Sequence, residues 1–330
     1  MKTETSKMAT SALVSSDTCY VIEDPVYKVD EHVYKLQEQS YALPIEFATS
    51  KHSIYPLFRY IGSKKKLLVD TTGIYQYFTK CSCYVVPFVG SGSDYCYMYN
   101  HGLFKSAIIN DNDHDLVDIY LALRDHPADL IGELSNLLKH YPSDGDGNTR
   151  RDYVYTITRP YYDDGVTGIK RTAMFYILRN NWFGGIHKGN SSTLHSLSAN
   201  GPHDNIRHQN IINWSAALAN TDICFGNYDK IDVPESSFVY VDPPYYEESG
   251  ESRQGYGLEF ANSEQEICID WCKSLAKAGS RVVFSNSSHP KIVELLEGVA
   301  SIKYLNIYYS LSKRSDQEII AVFYNANERL

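Results

Sequence analysis

No run of 18 apolar residues occurs in the 330-residue sequence, so a membrane-spanning helix is not expected. The N-terminal stretch Met1 to Ser16 carries lysines but has no apolar core, and it does not read as a secretory signal. No Cys-x-x-Cys pair exists. The seven cysteines are odd in number, and Cys81 and Cys83 alternate within a strand-like stretch. Reduced thiols in a cytoplasmic or other reducing compartment are therefore expected, with no metal site. Positive charge is also scarce. The 31 Lys and Arg against 40 Asp and Glu leave a net charge of −9, which argues against a protein that coats nucleic acid.

Hydrophobic content of 43% and charged content of 22% are ordinary for a folded chain that can bury a full core. The charge is uneven. Residues 1–50 hold four lysines against eight acids, whereas residues 150–210 hold eight Lys and Arg against four acids. The basic set is Arg150, Arg151, Arg159, Lys170, Arg171, Arg179, Lys188 and Arg207, joined by His187, His195, His203 and His208. A local basic segment can grip a polyanion although the whole chain is acidic. On charge alone, a solvated face fits equally well. Tyrosine is abundant at 28 residues, a surplus that composition does not explain.

The most informative stretch is Val239-Tyr240-Val241-Asp242-Pro243-Pro244-Tyr245. Phe238 to Val241 reads as a buried strand. It stops at an acid and two prolines, which have no amide hydrogen to continue a ladder. Asp242 and Pro243 each precede a proline, so the chain leaves the sheet in extended geometry. A carboxylate, a backbone carbonyl and the Tyr245 ring are thereby brought together at the carboxyl end of a strand, where ligands bind in open α/β sheets. Two acceptors beside a stacking face suit an exocyclic amino group on a flat heteroaromatic ring, such as adenine. Taken alone, a Pro-rich turn after a strand would look the same.

Two earlier stretches add to this. Tyr84 to Pro87 is a strand running through Phe88 and Val89 into the turn Gly90-Ser91-Gly92, where glycine lets backbone approach a ligand closely. A dinucleotide fingerprint wants a third glycine at position 95, and Tyr95 stands there. Ala107 to Asp111 is a second buried strand ending in an acid, placed where an acid commonly accepts hydrogen bonds from ribose hydroxyls. Strand, Gly-x-Gly, strand and acid in that order imply a nucleoside-type cofactor. Upstream, Tyr60-Ile61-Gly62-Ser63-Lys64-Lys65-Lys66 places lysines at a helix start, against the macrodipole, which implies a carboxylate or phosphate near Lys64. An exposed basic turn is the alternative.

Asp115 to Arg124 has helical spacing that continues after Pro127 to Leu138, and Pro142 to Asn148 reads as a loop. Arg171 to Leu178 is another helical run, leading to Asn181, Trp182 and a polar stretch from Ile186 to His208. Aromatics beside basic and amide side chains suit phosphate positioning and base-edge contact. Glu264 to Ala278 is amphipathic, with Ile267, Trp271, Leu275 and Ala278 expected on its buried face. Arg281 to Ser285 is a strand ending in Ser285-Asn286, and Pro290 to Leu296 is a short helix. Ile302 to Tyr309 and Glu318 to Tyr324 form a closing antiparallel pair, with Lys313-Arg314-Ser315 in the turn. Residues 1–50 show no strong periodicity. Met1 to Asp17 is expected to be disordered, and no chemistry is assigned to this extension.

Over roughly residues 55–330 the order of these motifs resembles the DNA adenine-N6 methyltransferases of the Dam family. The resemblance rests on Pro87 to Gly92, the Asn110-Asp111 strand end and Asp242 to Tyr245. The first family element is altered, with Tyr60 and Gly62-Ser63 where Trp and Gly-Gly are usual. No recognition hairpin can be matched between Asn190 and Pro202. The resemblance implies an α/β, Rossmann-like methyltransferase fold with a seven-stranded mixed sheet containing one antiparallel strand. It also implies an inserted, mainly helical DNA-recognition subdomain. The catalytic domain would comprise 51–124 and 221–330, with the recognition subdomain at 125–220. S-adenosylmethionine (S-adenosyl-L-methionine) would be the cofactor, touched by Tyr60, Lys64, Phe88, Gly90, Gly92, Asp111 and Asp242. Asp242, Pro243, Pro244 and Tyr245 would form the catalytic motif. Double-stranded DNA would be the partner, met by Asn181, Trp182, Arg150, Arg151, Arg171 and Lys188. Similar motifs also serve cytosine N4, RNA adenine and glutamine amide methylation. A nucleic-acid-binding homologue without catalysis is the further alternative.

Overall fold

β-Branched and aromatic residues fill the segments that become strands, and chain-breaking residues follow them. Pro87 comes after the first strand, Gly226 after the third, and Pro243-Pro244 shortly after the fourth. The computed structural model describes residues 53–58, 77–162, 165–181, 207–246, 260, 262–309 and 314–323. Its strands are β1 (Cys83–Val86), β2 (Ser106–Asp111), β3 (Thr221–Phe225), β4 (Phe238–Val241), β5 (Arg281–Ser287), β6 (Ala300–Tyr309) and β7 (Arg314–Phe323). The described helices are α1 (Ser93–Asn100), α2 (His114–Asp125), α3 (Pro127–Leu137), α4 (Gly147–Thr158), α5 (Gly168–Asn181), α6 (His208–Ala217), α7 (Asn262–Lys277) and α8 (Pro290–Leu296).

The strands form one seven-stranded sheet in the order β3-β2-β1-β4-β5-β7-β6. Strands β1 to β5 pair in parallel, and β7 runs antiparallel to both β5 and β6. One reversed strand in a mixed sheet is the expected architecture. Steps from β1 run outward through β2 to β3, while β4 and β5 extend the other way. The strand order therefore reverses between β1 and β4, where open α/β sheets bind ligands.

The sheet separates two apolar layers. On one face Tyr84, Val86, Ile109, Phe238, Tyr240, Val283 and Ile320 join side chains of α1 to α6 in one continuous core. On the other face Val85, Ile108, Val239, Val241, Val282, Phe284 and Ile319 pack on Cys268, Ile269 and Cys272 of α7 and Ile292 and Leu296 of α8. Period-2 alternation along each strand sends neighbouring residues to opposite cores. The described helices between 125 and 220 share the first core with the sheet, with Leu134, Val154 and Phe175 in the same cluster as Tyr84.

Several local expectations need correction. The buried face of α7 carries Gln265, Cys268, Ile269, Cys272 and Ala276, while Ile267 is 51% exposed. Cysteine packs as a small hydrophobe, and Gln265 is turned inward by its bonds to Pro244 O and Asn286. Arg314 and Ser315 lie within β7, not in a turn. Gly147 and Asn148 open α4, where the Asp146 side chain accepts from Thr149 N at 2.8 Å as a cap. Only Val154 and Thr158 of that helix are buried, and its Tyr, Val, Thr and Ile content conceals the helical period. The helical run read over Arg171 to Leu178 is borne out by α5, in which Thr172 to Arg179 are all buried.

Tyr95 explains the missing third glycine. It is fully buried, its ring stacks on Trp214 at 5.3 Å, and its hydroxyl lies 2.8 Å from both Ala217 O and Thr221 Oγ1. A dinucleotide fold needs glycine there so that helix and strand can approach closely. Here a large side chain occupies that contact. Gly92 is the tight position instead. It caps α1 with φ +69°, and an added Cβ would lie 2.8 Å from Trp214 Cη2 and 2.9 Å from the Tyr120 hydroxyl. Gly92→Ala is therefore expected to destabilise the protein by about 2–4 kcal/mol, combining backbone strain with overpacking. Urea unfolding measures the loss, and a stability within error of the parent would refute this packing.

Candidate active site

At the switch point the chain leaves β1 through Pro87, Phe88 and Val89 into the glycine turn. Val89 N donates to Asn110 O at 2.9 Å, and Gly92 N donates to Val89 O at 2.8 Å. The buried Asn110 amide donates to Pro87 O at 2.9 Å and to Gly226 O at 3.0 Å. One side chain on β2 thereby fixes the exits of both neighbouring strands. The Tyr120 hydroxyl donates to Gly90 O at 2.8 Å, and Gly90 itself takes φ +50°. Phe88 is half-buried on the opposite side, with Phe260 edge-on at 5.8 Å and Tyr228 at 5.2 Å.

Asp111 ends β2 beside this turn. Its Oδ2 accepts from Gly90 N at 3.0 Å and its Oδ1 from Asp113 N at 3.1 Å. Each carboxylate oxygen can accept more than one bond, so a ribose hydroxyl could still be served. Burial, followed by the neighbouring Asp113, pushes its carboxyl up to about 6, against the pull of those two amides.

Asp242 follows β4 directly. Ser285 Oγ on β5 donates to Asp242 Oδ1 at 2.7 Å. The following loop is held by buried amides. Gln265 Nε2 donates to Pro244 O at 2.7 Å, Asn286 Nδ2 donates to Gln265 Oε1 at 3.0 Å, and Tyr246 N donates to Asn286 Oδ1 at 3.2 Å. Pro244 O is thereby occupied, and among the described residues none is seen to donate to the Pro243 carbonyl. The Tyr245 hydroxyl donates to Glu318 Oε2 at 2.8 Å, and Glu318 is only 4% exposed on β7. Burial first, and then the Glu318 charge, holds the Tyr245 phenol well above its usual range, so it remains a donor.

A third carboxyl lies close by. Asp94 on α1 accepts from the Tyr84 hydroxyl at 2.7 Å. Burial chiefly pushes it up to about 6; the Tyr84 bond opposes that shift and the Asp242 charge adds to it.

The expected DNA contacts are placed unevenly. Tyr60, Lys64, Trp182 and Lys188 lie outside the described residues. Asn181 is fully buried, with its Nδ2 donating to Ile177 O at 2.7 Å. Arg171 Nε lies 3.0 Å from Asp115 Oδ1, its Nη1 donates to Tyr161 O at 2.6 Å, and its guanidinium covers the Tyr161 ring at 4.2 Å. Arg171 thereby ties α5 to α2, whereas the Asn181 bond lies within α5. Arg150 and Arg151 are partly exposed on α4. Ligand-type atoms of His114, Asp115 and Asp118 fall within 4.8 Å of one another. Arg171 and Tyr161 already engage Asp115, so a cation there would compete with a guanidinium. Among the described residues, no helix is long and apolar enough to cross a membrane.

Sequence reasoning passed over Gln265, Ser285, Asn286, Glu318 and Asp94. The available signals were Ser-Asn at the end of an apolar strand and a glutamate opening another.

A parallel sheet with one reversed strand, a glycine turn after β1 and an Asp-Pro-Pro-Tyr exit from β4 define a Rossmann-like methyltransferase. The chain belongs to the family described as D12 class N6 adenine-specific DNA methyltransferase, which it matches over residues 60–311. DNA adenine methylation is the activity class of that family. The chain is 28% identical over 213 residues to the type II methyltransferase M.MjaIII of Methanocaldococcus jannaschii, covering 62% of this chain and 73% of that one. It is 27% identical over 261 residues to the type II methyltransferase M1.LlaDCHI of Lactococcus lactis subsp. cremoris, covering 74% and 86%. It is also 22% identical to the DNA N-6-adenine-methyltransferase of Escherichia phage P1, over 72% of this chain and 30% of that one.

The buried Asp94 gives a signed pH expectation. Its folded value of about 6 lies above the unfolded value of roughly 4. The folded state therefore holds the extra proton between these values, and stability falls as pH rises through that window. Asp94→Asn keeps an acceptor for Tyr84 and removes this titration. Relative to the parent, the variant should gain on the order of 2 kcal/mol between pH 4 and pH 7 in urea unfolding. Parallel stability curves for the two proteins would contradict the assignment.

Proposed function

We propose that the protein transfers a methyl group from S-adenosylmethionine to N6 of an adenine swung out of duplex DNA. The observation that carries this reading is the placement of Asp242 and the Pro243 carbonyl at the switch point between β1 and β4. Membership in an adenine-specific class favours adenine over cytosine N4. The target atom is hidden inside a duplex, so the base must leave the stack.

The adenine amino nitrogen is a poor nucleophile because its lone pair is delocalised into the ring. Asp242 and the Pro243 carbonyl accept its two hydrogens, draw it towards sp³ geometry and free that pair. Positive charge then forms on nitrogen, and the Asp242 carboxylate stabilises it. Tyr245, with its hydroxyl fixed on Glu318, supplies the stacking face. Positioning does most of this work, and no cysteine or histidine nucleophile is required.

S-adenosylmethionine supplies an electrophilic methyl group on a sulfonium. The residues present fit it: the Gly90 and Gly92 turn brings backbone close, Phe88 offers an aromatic wall, and Asp111 retains acceptor capacity for ribose hydroxyls. Tyr60 and Lys64 are assigned to the same cofactor from the sequence, with Lys64 near its carboxylate. Residues 125–220 are assigned to DNA, and Arg150 and Arg151 are the described cations proposed to meet phosphate.

Asp242→Ala should lower methyl transfer by at least about a thousandfold while leaving the unfolding midpoint nearly unchanged. Tritium transfer to duplex DNA measures this, and near-normal turnover would refute the mechanism. Replacing Arg150 and Arg151 together by glutamine should reduce the slope of log affinity against log salt by about 1.8. An unchanged slope would remove α4 from the DNA grip.

A further inference from the structure

The Asp242 carboxylate is anchored from within the sheet. Val241 is level with Phe284 in the parallel β4–β5 ladder, so the next residues, Asp242 and Ser285, face one another. Period-2 alternation puts Tyr240 and Asp242 on the same side of β4. Ser285 and Tyr240 are 0% and 1% exposed. Ser285 Oγ has one hydrogen and uses it on Asp242 Oδ1 at 2.7 Å, so the Tyr240 hydroxyl, 3.1 Å from Ser285 Oγ, is the donor in that contact. The result is a directed chain, from Tyr240 to Ser285 to Asp242.

A serine at this point needs a reason. Val282, Val283 and Phe284 before it are all fully buried, and an apolar residue would continue the strand. The surroundings of Asp242 supply one. Asp94 from α1 and Glu318 from β7 are both buried acids on this side of the sheet. Among the described residues, the other titratable groups facing the cluster are the hydroxyls of Tyr84 on β1, Tyr240 on β4 and Tyr245 in the loop, each an uncharged donor. Two neighbouring acids oppose a third negative charge, and a donated hydrogen bond favours it.

We propose that Ser285, itself oriented by Tyr240, is a positioning residue for methyl transfer: it occupies Asp242 Oδ1 and thereby presents Oδ2 to the amino group of the target base. The proposal rests on the reading of Asp242 as the acceptor of that amino hydrogen. Without Ser285 the carboxylate loses the donor on Oδ1 while Asp94 and Glu318 remain beside it. The rate should then fall, and the acid limb of the rate profile should move to higher pH.

The experiment compares the full-length parent with Ser285→Ala, Ser285→Thr, Tyr240→Phe and Asp242→Ala. Single-turnover methyl transfer to a duplex library is followed at saturating S-adenosylmethionine and DNA, from about pH 5 to about pH 9. Ser285→Ala should lose about 10- to 100-fold in rate, with affinities for cofactor and DNA within about twofold of the parent. Its acid limb should rise by about half a pH unit or more. Ser285→Thr, which keeps the hydroxyl, should recover most of the rate, and Tyr240→Phe should show a smaller loss of the same kind. A Ser285→Ala enzyme with parental rate and acid limb overturns the proposal. So does a rate loss that leaves the acid limb unmoved and is not recovered by threonine, since a purely structural role predicts that pattern. If Ser285→Ala does not fold, Tyr240→Phe carries the same test through its acid limb. Asp242→Ala separates the two levels. An inactive Asp242→Ala beside a normal Ser285→Ala removes only this inference, whereas an active Asp242→Ala removes the reading beneath it as well.

Discussion

Two consecutive prolines after Asp242 are the constraint on which the site depends. They stop β4 at the place where the strand order reverses, because neither can donate to a ladder. The chain must then turn away with its carbonyls unpaired by the sheet. An exit of that kind would wander unless side chains held it. Gln265 and Asn286, from the layer and strand that flank the exit, close a buried amide network on Pro244 O and Tyr246 N. Both are essentially inaccessible, so solvent does not compete for these bonds. The loop is thus prearranged, with Pro244 O bonded by Gln265 and Tyr246 O by Ser287.

The tyrosine surplus has a physical explanation within the described residues. Tyr84, Tyr95, Tyr120, Tyr161, Tyr240 and Tyr245 each send a ring into the interior and a hydroxyl to a defined oxygen. Phenylalanine could fill the same volume but could not satisfy those acceptors. Tyrosine supplies bulk and a donor together, which suits a core crossed by acids and strand-end carbonyls. Base stacking, the use that composition first brings to mind, concerns Tyr245 alone in the proposed reaction.

Much of this arrangement was legible in the sequence. Most of the strands announced themselves by an apolar run, and the Gly-x-Gly and Asp-Pro-Pro-Tyr exits fixed which ends of β1 and β4 matter. Helix α4 was missed because its period is hidden among β-branched and aromatic residues. Spacing alone could not show that Arg171 bonds to Asp115 or Asn181 to Ile177. Glu318 and Ser285 read as strand residues because their roles depend on register with a neighbouring strand, and register belongs to the fold rather than to local pattern.

The three acids beneath the site pose an energetic problem whose solution bears on the reaction. Asp94, Asp242 and Glu318 share one side of the sheet, and buried like charges raise each other's cost. Each is met by a hydroxyl, from Tyr84, Ser285 and Tyr245 respectively. Among the described residues the printed partners are hydroxyls, and a hydroxyl solvates a carboxylate without cancelling its field. In the proposed reaction positive charge develops on the amino nitrogen beside Asp242. A negative field already fixed at that edge requires no reorganisation when that charge appears. Hydroxyl partners of this kind help keep these acids tolerable in the folded state and leave them useful to the transition state.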